Sequence, residues 1–288
     1  MSTLVGALLN GILTAVPIFL VASGLTIVYG TMRVLNFAHG ALFMVGAFLL
    51  SQFLGAKAVS WYAFLLAALL CGLCVAVLAA VIEVGVFRRL YAKPHIVGLL
   101  ASFAILFAAQ GAAQLIWGLV PLSQQPPRGV TGPVHLLGTV ISRYSIAEAV
   151  VGAVVAVGLW LLLKRSRLGR LLRAVADDRE MAEALGIRAD RMGLTAFALS
   201  GFLAGIAGSL LAPVSSIDIS LAQTYLILSF AVIILGRPGS LRGALLAALG
   251  LGVFNSLLSS YVPDLLAFGT YIGLAAGLLI RRREAITA

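Results

Sequence analysis

The sequence predicts an all-α, polytopic membrane protein with about 8–10 transmembrane helices, and three observations predict it. Hydrophobic residues make up 61% of the chain and charged residues 10%, with a mean hydropathy of +1.10; a soluble domain needs about a quarter of its residues charged to cover its surface. The apolar runs are roughly 17–25 residues long, which at 1.5 Å per residue crosses a hydrocarbon core of about 30 Å, whereas barrel strands are shorter and alternate. The charge that remains is concentrated: the stretch 164–191 holds 8 of the 20 Lys+Arg and 5 of the 10 Asp+Glu residues. A membrane protein that gathers its polar chemistry in one loop uses that loop to meet a soluble partner.

Taken in order, the expected spans are 4–29, 37–54, 61–82, 96–120, 145–163, 192–212, 224–235, 241–260 and 265–280. The first lacks a basic leader and a small-residue cleavage site, so it reads as a retained span. The third contains Cys71 and Cys74. Their C-x-x-C sits in an unbroken apolar run with no second ligand pair, which points to packing and away from zinc or disulfide chemistry. The segment 121–144 carries Gln124-Gln125-Pro126-Pro127, Gly129 and Gly132-Pro133, then alternates loosely over 134–142. It reads as a surface loop with a short hairpin, open to a partner outside the membrane.

Two spans are short or broken. The seventh runs into Gly236-Arg237-Pro238-Gly239-Ser240, and the first reaches Gly30 just before Asn36-Phe37-Ala38-His39-Gly40 opens the second. Non-helical backbone at membrane depth survives only where protein or a water-filled cavity supplies hydrogen bonds, so both junctions are candidates for a transport path; ordinary cytoplasmic turns are the plainer reading. His39-Gly40-Ala41-Leu42 and Arg242-Gly243-Ala244-Leu245 each open a small-residue helix after such a turn. A duplicated half would give this pattern, and so would chance in a chain rich in Gly, Ala and Leu.

Alternating the spans places Arg33, Arg88, Arg89, Lys93, the eight cations of 164–191, Arg237, Arg242, Arg281, Arg282 and Arg283 on one side, against Lys57, Arg128 and Arg143 on the other. Seventeen against three orients the chain with its N-terminus outside and its C-terminus in the cytoplasm. The formal net charge of +10 is thereby accounted for as topology, and with no aromatic-interleaved basic face no nucleic-acid partner is expected.

Enzyme signatures are absent: there is no G-x-x-x-x-G-K-[ST] and no H-E-x-x-H, and His39, His95 and His135 fall in different loops or span ends. No metal or cofactor is expected, and ATP, if used, is hydrolysed by another chain. Glu83 and Glu148 lie at span ends and Asp218 and Asp264 in outer loops. With no carboxylate placed mid-span, a proton-coupled carrier is disfavoured, since coupling needs a group that changes charge along the path.

Within the central loop, residues 171–187 are rich in helix formers and closed by Gly186, which suits a C-terminal cap. A short helix ending at Gly186 is expected. Leu171, Leu172, Val175, Ala182 and Leu185 supply apolar patches and the charges a rim, as in a knob that docks into a partner's groove. An amphipathic helix lying on lipid would favour cations over the five acids found.

Glu180-Met181-Ala182 followed by Gly186 resembles the E-A-A-x-x-x-G coupling motif of permeases in ATP-binding-cassette importers, with Met181 replacing an alanine. Met32-Arg33-Val34-Leu35-Asn36-Phe37-Ala38-His39-Gly40 is similar to the N-F-A-H-G signature of the branched-chain amino acid permease family, the LivH type. Arg173-Ala174, Asp177, Ala182 and Gly186-Ile187 resemble its cytoplasmic loop, and Phe197, Ser200 and the run from Gly201 to Gly208 its next helix. Gly236-Arg237-Pro238-Gly239-Ser240 departs from the usual G-G-x-G-S by placing Arg237 where a glycine is expected.

The resemblance implies an importer permease fold over 1–288 as a single transmembrane domain in a bacterial inner membrane. Its implied partners are a second permease of LivM type, two cytoplasmic ATPases and a periplasmic binding protein, and the implied cargo is branched-chain amino acids. Urea, short-chain amides and other small amino- or carboxyl-bearing metabolites remain alternatives, with a secondary carrier, a channel or a membrane enzyme behind them. Arg173, Asp177, Asp178, Glu180, Ala182 and Gly186 become the candidate ATPase-coupling residues. Asn36, His39, Gly40, Ser200, Gly201, Gly205, Gly208, Gly236, Arg237, Gly239 and Ser240 are the candidates for the path or gate. Among these, Gly201, Gly205 and Gly208 share a helix face and read first as packing, then as pore lining. Asn36 and His39 read first as a junction-stabilising hydrogen bond at a cytoplasmic break, then as substrate contacts.

Overall fold

In hydrocarbon each backbone N–H and C=O must be satisfied within its own segment, and this chain meets the requirement with helices. The computed structural model describes residues 2–287 apart from Val34, Ala56, Ala92 and Leu137, with side chains described for all of these but Ser2, Ala267 and 279–287. In order they form α1 (Ser2–Met32), α2 (Ala38–Leu54), α3 (Trp61–Ile82), a π turn (Glu83–Phe87) leading into α4 (Arg88–Leu90), and α5 (His95–Trp117). A hairpin of β1 (Pro133–Leu136) and β2 (Thr139–Ser142) precedes α6 (Arg143–Arg165), α7 (Arg167–Asp177), α8 (Arg179–Ala184) and α9 (Ala189–Leu211). Then come α10 (Ser220–Gly236), α11 (Leu241–Tyr261), a 3-10 turn (Pro263–Phe268) and α12 (Gly269–Thr287).

Among the described residues six helices are long and apolar enough to cross a membrane, and Ala38–Leu54, Ser220–Gly236 and Gly269–Leu278 are shorter apolar helices. They coincide with the expected spans. The seventh starts earlier than expected because the Asp218 carboxylate accepts a hydrogen bond from the Ser220 N–H at 2.7 Å and opens the helix there; Ser220 and Gln223 are too polar for hydropathy to count them. α3 begins where Ser60 Oγ accepts from the Ala63 N–H, and α11 where Ser240 Oγ accepts from the Gly243 N–H at 3.1 Å. Hydroxyls inside α1 turn back on their own helix: Ser23, Thr26 and Thr31 donate to the carbonyls of Leu20, Ala22 and Ile27, so these three donors are satisfied within the helix.

α1 and α9 form the centre of the bundle, with α9 packed on α1, α2 and α3, and α1 also on α6, α10 and α11. Lipid removes the hydrophobic drive between spans, so close backbone approach has to supply the attraction. Glycine provides it. A β-carbon on Gly205 would lie 2.9 Å from Val75 Cβ and 3.0 Å from Gly72 Cα on α3, and one on Gly46 would lie 2.5 Å from the Gly205 carbonyl oxygen. Cys71 is buried and Cys74 exposed in α3, both as free thiols.

The hairpin pairs Pro133 with Ser142 and Val134 with Ile141 in antiparallel register. Its flanks are fixed by backbone: Leu122 exchanges hydrogen bonds with Ile217 at 2.9 and 2.8 Å, and the Arg128 N–H donates to the Val59 carbonyl at 2.7 Å. The segment 121–144, outside Leu137, is thus tied to the α2–α3 and α9–α10 connections.

Candidate functional site

On the side that carries Arg33, Arg88, Lys93 and the 164–191 loop, the basic side, the loop folds as two helices instead of the single expected one. The break is at Asp178, whose backbone is extended and whose carboxylate accepts from the Met181 N–H at 2.9 Å, so it caps α8 and cannot continue α7. Ser166 caps α7 by accepting from the Gly169 N–H at 3.0 Å. Gly186, two residues past the end of α8, adopts φ +80°. There Ile187 N–H reaches the Ala182 carbonyl and Gly186 N–H the Glu183 carbonyl, both at 3.0 Å, the paired bonds of a Schellman cap that a left-handed glycine permits.

Val175, Ala182 and Ala189 are buried together, with Ile187 and Met192 against them, and seat α7 and α8 on the start of α9. Leu172 is buried as well, whereas Leu185 and Met181 are 74% and 57% exposed. The apolar patch therefore divides: part anchors the loop, and Met181 with Leu185 faces outward beside the exposed Glu180 and Glu183. Arg179 ties the assembly by ion pairs to Glu183 at 3.1 Å and Asp190 at 2.8 Å. Arg173 donates to the Leu163 carbonyl at the end of α6. Asp177 and Asp178 are exposed.

The second group lies deeper than a surface turn. His39 is fully buried; its Nε2 is 2.7 Å from the Val21 carbonyl oxygen and its Nδ1 is 3.1 Å from Ser200 Oγ. A carbonyl only accepts, so Nε2 carries the proton and Nδ1 accepts from the Ser200 hydroxyl. One imidazole thereby joins α1, α2 and α9. Val21 lies eleven residues from Met32, and Ser200 eleven from Ala189, each about 16 Å at 1.5 Å per residue. The break is therefore not confined to the end of α1: after Met32 the chain turns back, and α2 starts beside the middle of α1 and of α9. Asn36, also buried, supports the turn, its Oδ1 accepting from the Ala38 N–H at 3.1 Å. Phe37 packs beside it, stacked on Phe103 at 3.9 Å and against Phe230 at 4.8 Å.

The glycines are packed on neighbouring backbone. Gly201 meets Val75 and Ala79 of α3, Gly208 the Phe43 carbonyl of α2, and Gly40 the Ala222 carbonyl of α10. Gly236 and Gly243 lie backbone to backbone, and a β-carbon on Gly30 would fall 3.0 Å from Gly239 Cα. The junctions after α1 and α10 thus touch. Arg237 adopts φ +68°, a region costly for any residue with a β-carbon, which is the physical reason a glycine is expected there. Of the sequence motif, Val34 lies outside the described residues.

Two carboxylates read only as span-end residues are buried. Glu83, in the π turn, is fully enclosed; Arg88 pairs with it at 3.1 Å and the Tyr91 hydroxyl donates to it at 3.1 Å. Burial, then the Glu83 charge, raises the Tyr91 phenol well above its ordinary range and keeps it a donor. Glu148 of α6 is 5% exposed and its Oε1 has no hydrogen-bond partner among the described residues.

Comparison with known proteins converges on one family. The family model for the branched-chain amino acid transport system permease component matches residues 7–280. The permease protein BraD of Pseudomonas aeruginosa, of a high-affinity branched-chain amino acid transport system, is 31% identical over 281 residues, 92% of this chain and 91% of the relative. LivH of Salmonella typhimurium is 26% identical over 91% of this chain and 90% of its own, and the probable LivH of Methanocaldococcus jannaschii 28% over 87% and 79%. No solved structure gives a significant match. With its helices, its enclosed small-residue packing and this full-length match, the chain belongs to the branched-chain amino acid transport permease family, as a multi-pass transport subunit of LivH type.

Proposed function

We propose that this chain is one of the two permeases lining the path of an ATP-driven importer of branched-chain amino acids, and that α8 receives the movement of a cytoplasmic ATPase. The observation that carries this reading is α8 itself. A six-residue helix capped by Asp178 and Gly186, bolted to α9 and presenting Met181 and Leu185 within a charged rim, is built to be gripped. Its neighbours Arg173, Asp177 and Glu180 supply the polar contacts of the grip. The cargo follows from the names of the relatives, and the partners from the architecture of such importers: a LivM-like second permease, two ATPases and a periplasmic binding protein.

In this reading the N-terminus is outside and the C-terminus in the cytoplasm of a bacterial inner membrane, so the basic side faces the ATPases. The contact between Gly30 and Gly239 forms part of the gate, with Gly236, Arg237 and Ser240 shaping the turn. The buried His39–Ser200 bond holds the re-entrant start of α2 while spans rock between outward- and inward-facing states. Selectivity rests with the binding protein, and the path is apolar.

Reconstitution in liposomes with the candidate ATPases, second permease and binding protein, following labelled leucine and labelled urea, tests the proposal. Leucine uptake that needs both ATP and the binding protein is expected. Urea uptake instead would keep the architecture and replace the cargo, and uptake by the chain alone would overturn the importer reading.

A further inference from the structure

We propose that the cavity between the ends of α1 and α5 and helix α8 binds the phosphodiester headgroup of an anionic phospholipid. The cavity measures about 490 Å³ and is lined on its polar side by Arg33, Lys93, His95 and Arg179. It has no carboxylate in its wall. Arg179 is already taken by Glu183 and Asp190. Arg33 and Lys93 are exposed and, among the described residues, have no acidic partner. Arg33 also borders the adjoining hollow lined by Asp177, Asp178 and Glu180, but none of these lies within ion-pair distance of it, so two cations converge on the cavity with neither paired to a carboxylate among the described residues.

The remainder of the wall is apolar, including Met32, Leu35, Leu90 and Leu99, with Leu35 38% exposed. A free phosphate needs no such wall, whereas a lipid presents a phosphate with glycerol and acyl carbons directly beneath it. The site also lies where α1 ends and α5 begins, the level at which headgroups sit. Basic pockets between spans on the cytoplasmic side attract anionic headgroups for the same electrostatic reason. A purely topological role would ask only that Arg33 and Lys93 be on this side, not that they close a cavity.

The occupant would touch the coupling apparatus. Tyr91 lines the cavity, its ring lies 5.7 Å from the Arg179 guanidinium, and its hydroxyl is bonded to Glu83. A bound headgroup thus leans on the same aromatic ring that α8 rests on, and the site would report membrane charge to that helix.

The test uses the full chain alone in phosphatidylcholine nanodiscs doped with spin-labelled phosphatidylglycerol or spin-labelled phosphatidylcholine, so it does not depend on the ATPase reading. Its one assumption, the orientation, is checked separately by labelling Lys93→Cys from the cytoplasmic face of sealed vesicles. The wild type should immobilise phosphatidylglycerol in preference to phosphatidylcholine. R33Q/K93Q should lose about 25-fold in that preference, at roughly fivefold per cation near an anionic surface, while R33K/K93R keeps it and Lys57→Gln on the opposite side changes nothing. Ten-millimolar-range inorganic phosphate should leave the lipid bound; displacement by it would show a free-anion site and overturn the lipid assignment. Equal immobilisation of the two lipids by the wild type, or an unchanged preference in R33Q/K93Q, would overturn the site itself.

Discussion

Ser200 Oγ lies 3.1 Å from His39 Nδ1, joining residues 161 apart in sequence at a point where neither can reach water. Removing the hydroxyl leaves the imidazole nitrogen buried without a donor, which costs about 1–3 kcal/mol. Ser200→Ala should therefore lower the thermal midpoint of the purified chain in detergent, and Ser200→Thr, which keeps the hydroxyl, should recover part of the loss. An unchanged midpoint in Ser200→Ala would show that the bond holds nothing together.

Gly205 and Gly250 make a matched pair for the packing argument. A β-carbon on Gly205 meets α3 within 3.0 Å, whereas one on Gly250 meets nothing within 4 Å. Gly205→Ala should destabilise by about 1–3 kcal/mol through overpacking, and Gly250→Ala should be neutral or gain about 0.5–1 kcal/mol from helix propensity. Parallel unfolding measurements that rank the two variants the other way would sink the close-packed account of α9.

Arg237 at φ +68° should respond to relief of strain. Arg237→Gly is expected to stabilise the chain by about 1 kcal/mol and to leave assembly normal. A large change in leucine transport by an Arg237→Gly complex of normal stability would mark this turn as part of the gate instead of a passive bend.

The knob on α8 makes a prediction about coupling rather than stability. Met181→Ala/Leu185→Ala should leave the chain folded and inserted yet reduce substrate-stimulated ATPase activity of the assembled complex by about tenfold, the effect of losing about 1.4 kcal/mol of contact. Charge reversal at Asp177 and Glu180 together should act in the same direction, as should Gly186→Pro, since proline cannot adopt the positive φ of the cap. Full stimulation in all three would remove α8 from the coupling interface.

Glu148 carries an enclosed oxygen with no hydrogen-bond partner among the described residues. Glu148→Met, of similar length and fully apolar, should raise stability by about 1–3 kcal/mol. A stable Glu148→Met chain whose complex no longer transports would identify this carboxylate as functional.

The sequence was most legible where composition alone decides structure. α3 runs over the expected 61–82 because Ser60 and Glu83 bracket an apolar run. Gly186 was recognised as a cap because a glycine after a run of helix formers has few other uses. The split at Asp178 was missed, since two adjacent aspartates offer equivalent capping groups and only backbone geometry selects one. The depth of His39 was hidden too: the break after Met32 is visible, but five residues say nothing of how far the chain travels back before α2 starts. The His39–Ser200 bond and the burial of Glu148 depend on which helix faces which, and the near-uniform hydrophobicity of these spans carries little of that.

α9 begins at Ala189, against the buried side of α7 and α8, and is held at mid-length by Ser200 and near its far end where the Tyr144 hydroxyl donates to the Leu210 carbonyl at 2.5 Å. If α8 receives the ATPase stroke as proposed, α9 would act as a lever with its fulcrum inside the bundle. Tilted by about 10° about Ser200, arms of about 16 Å swing their tips by roughly 3 Å in opposite directions. Because Gly201, Gly205 and Gly208 bring the α9 backbone against α2 and α3, those helices would travel with the stroke, and a pull at α8 would arrive on the opposite face already inverted.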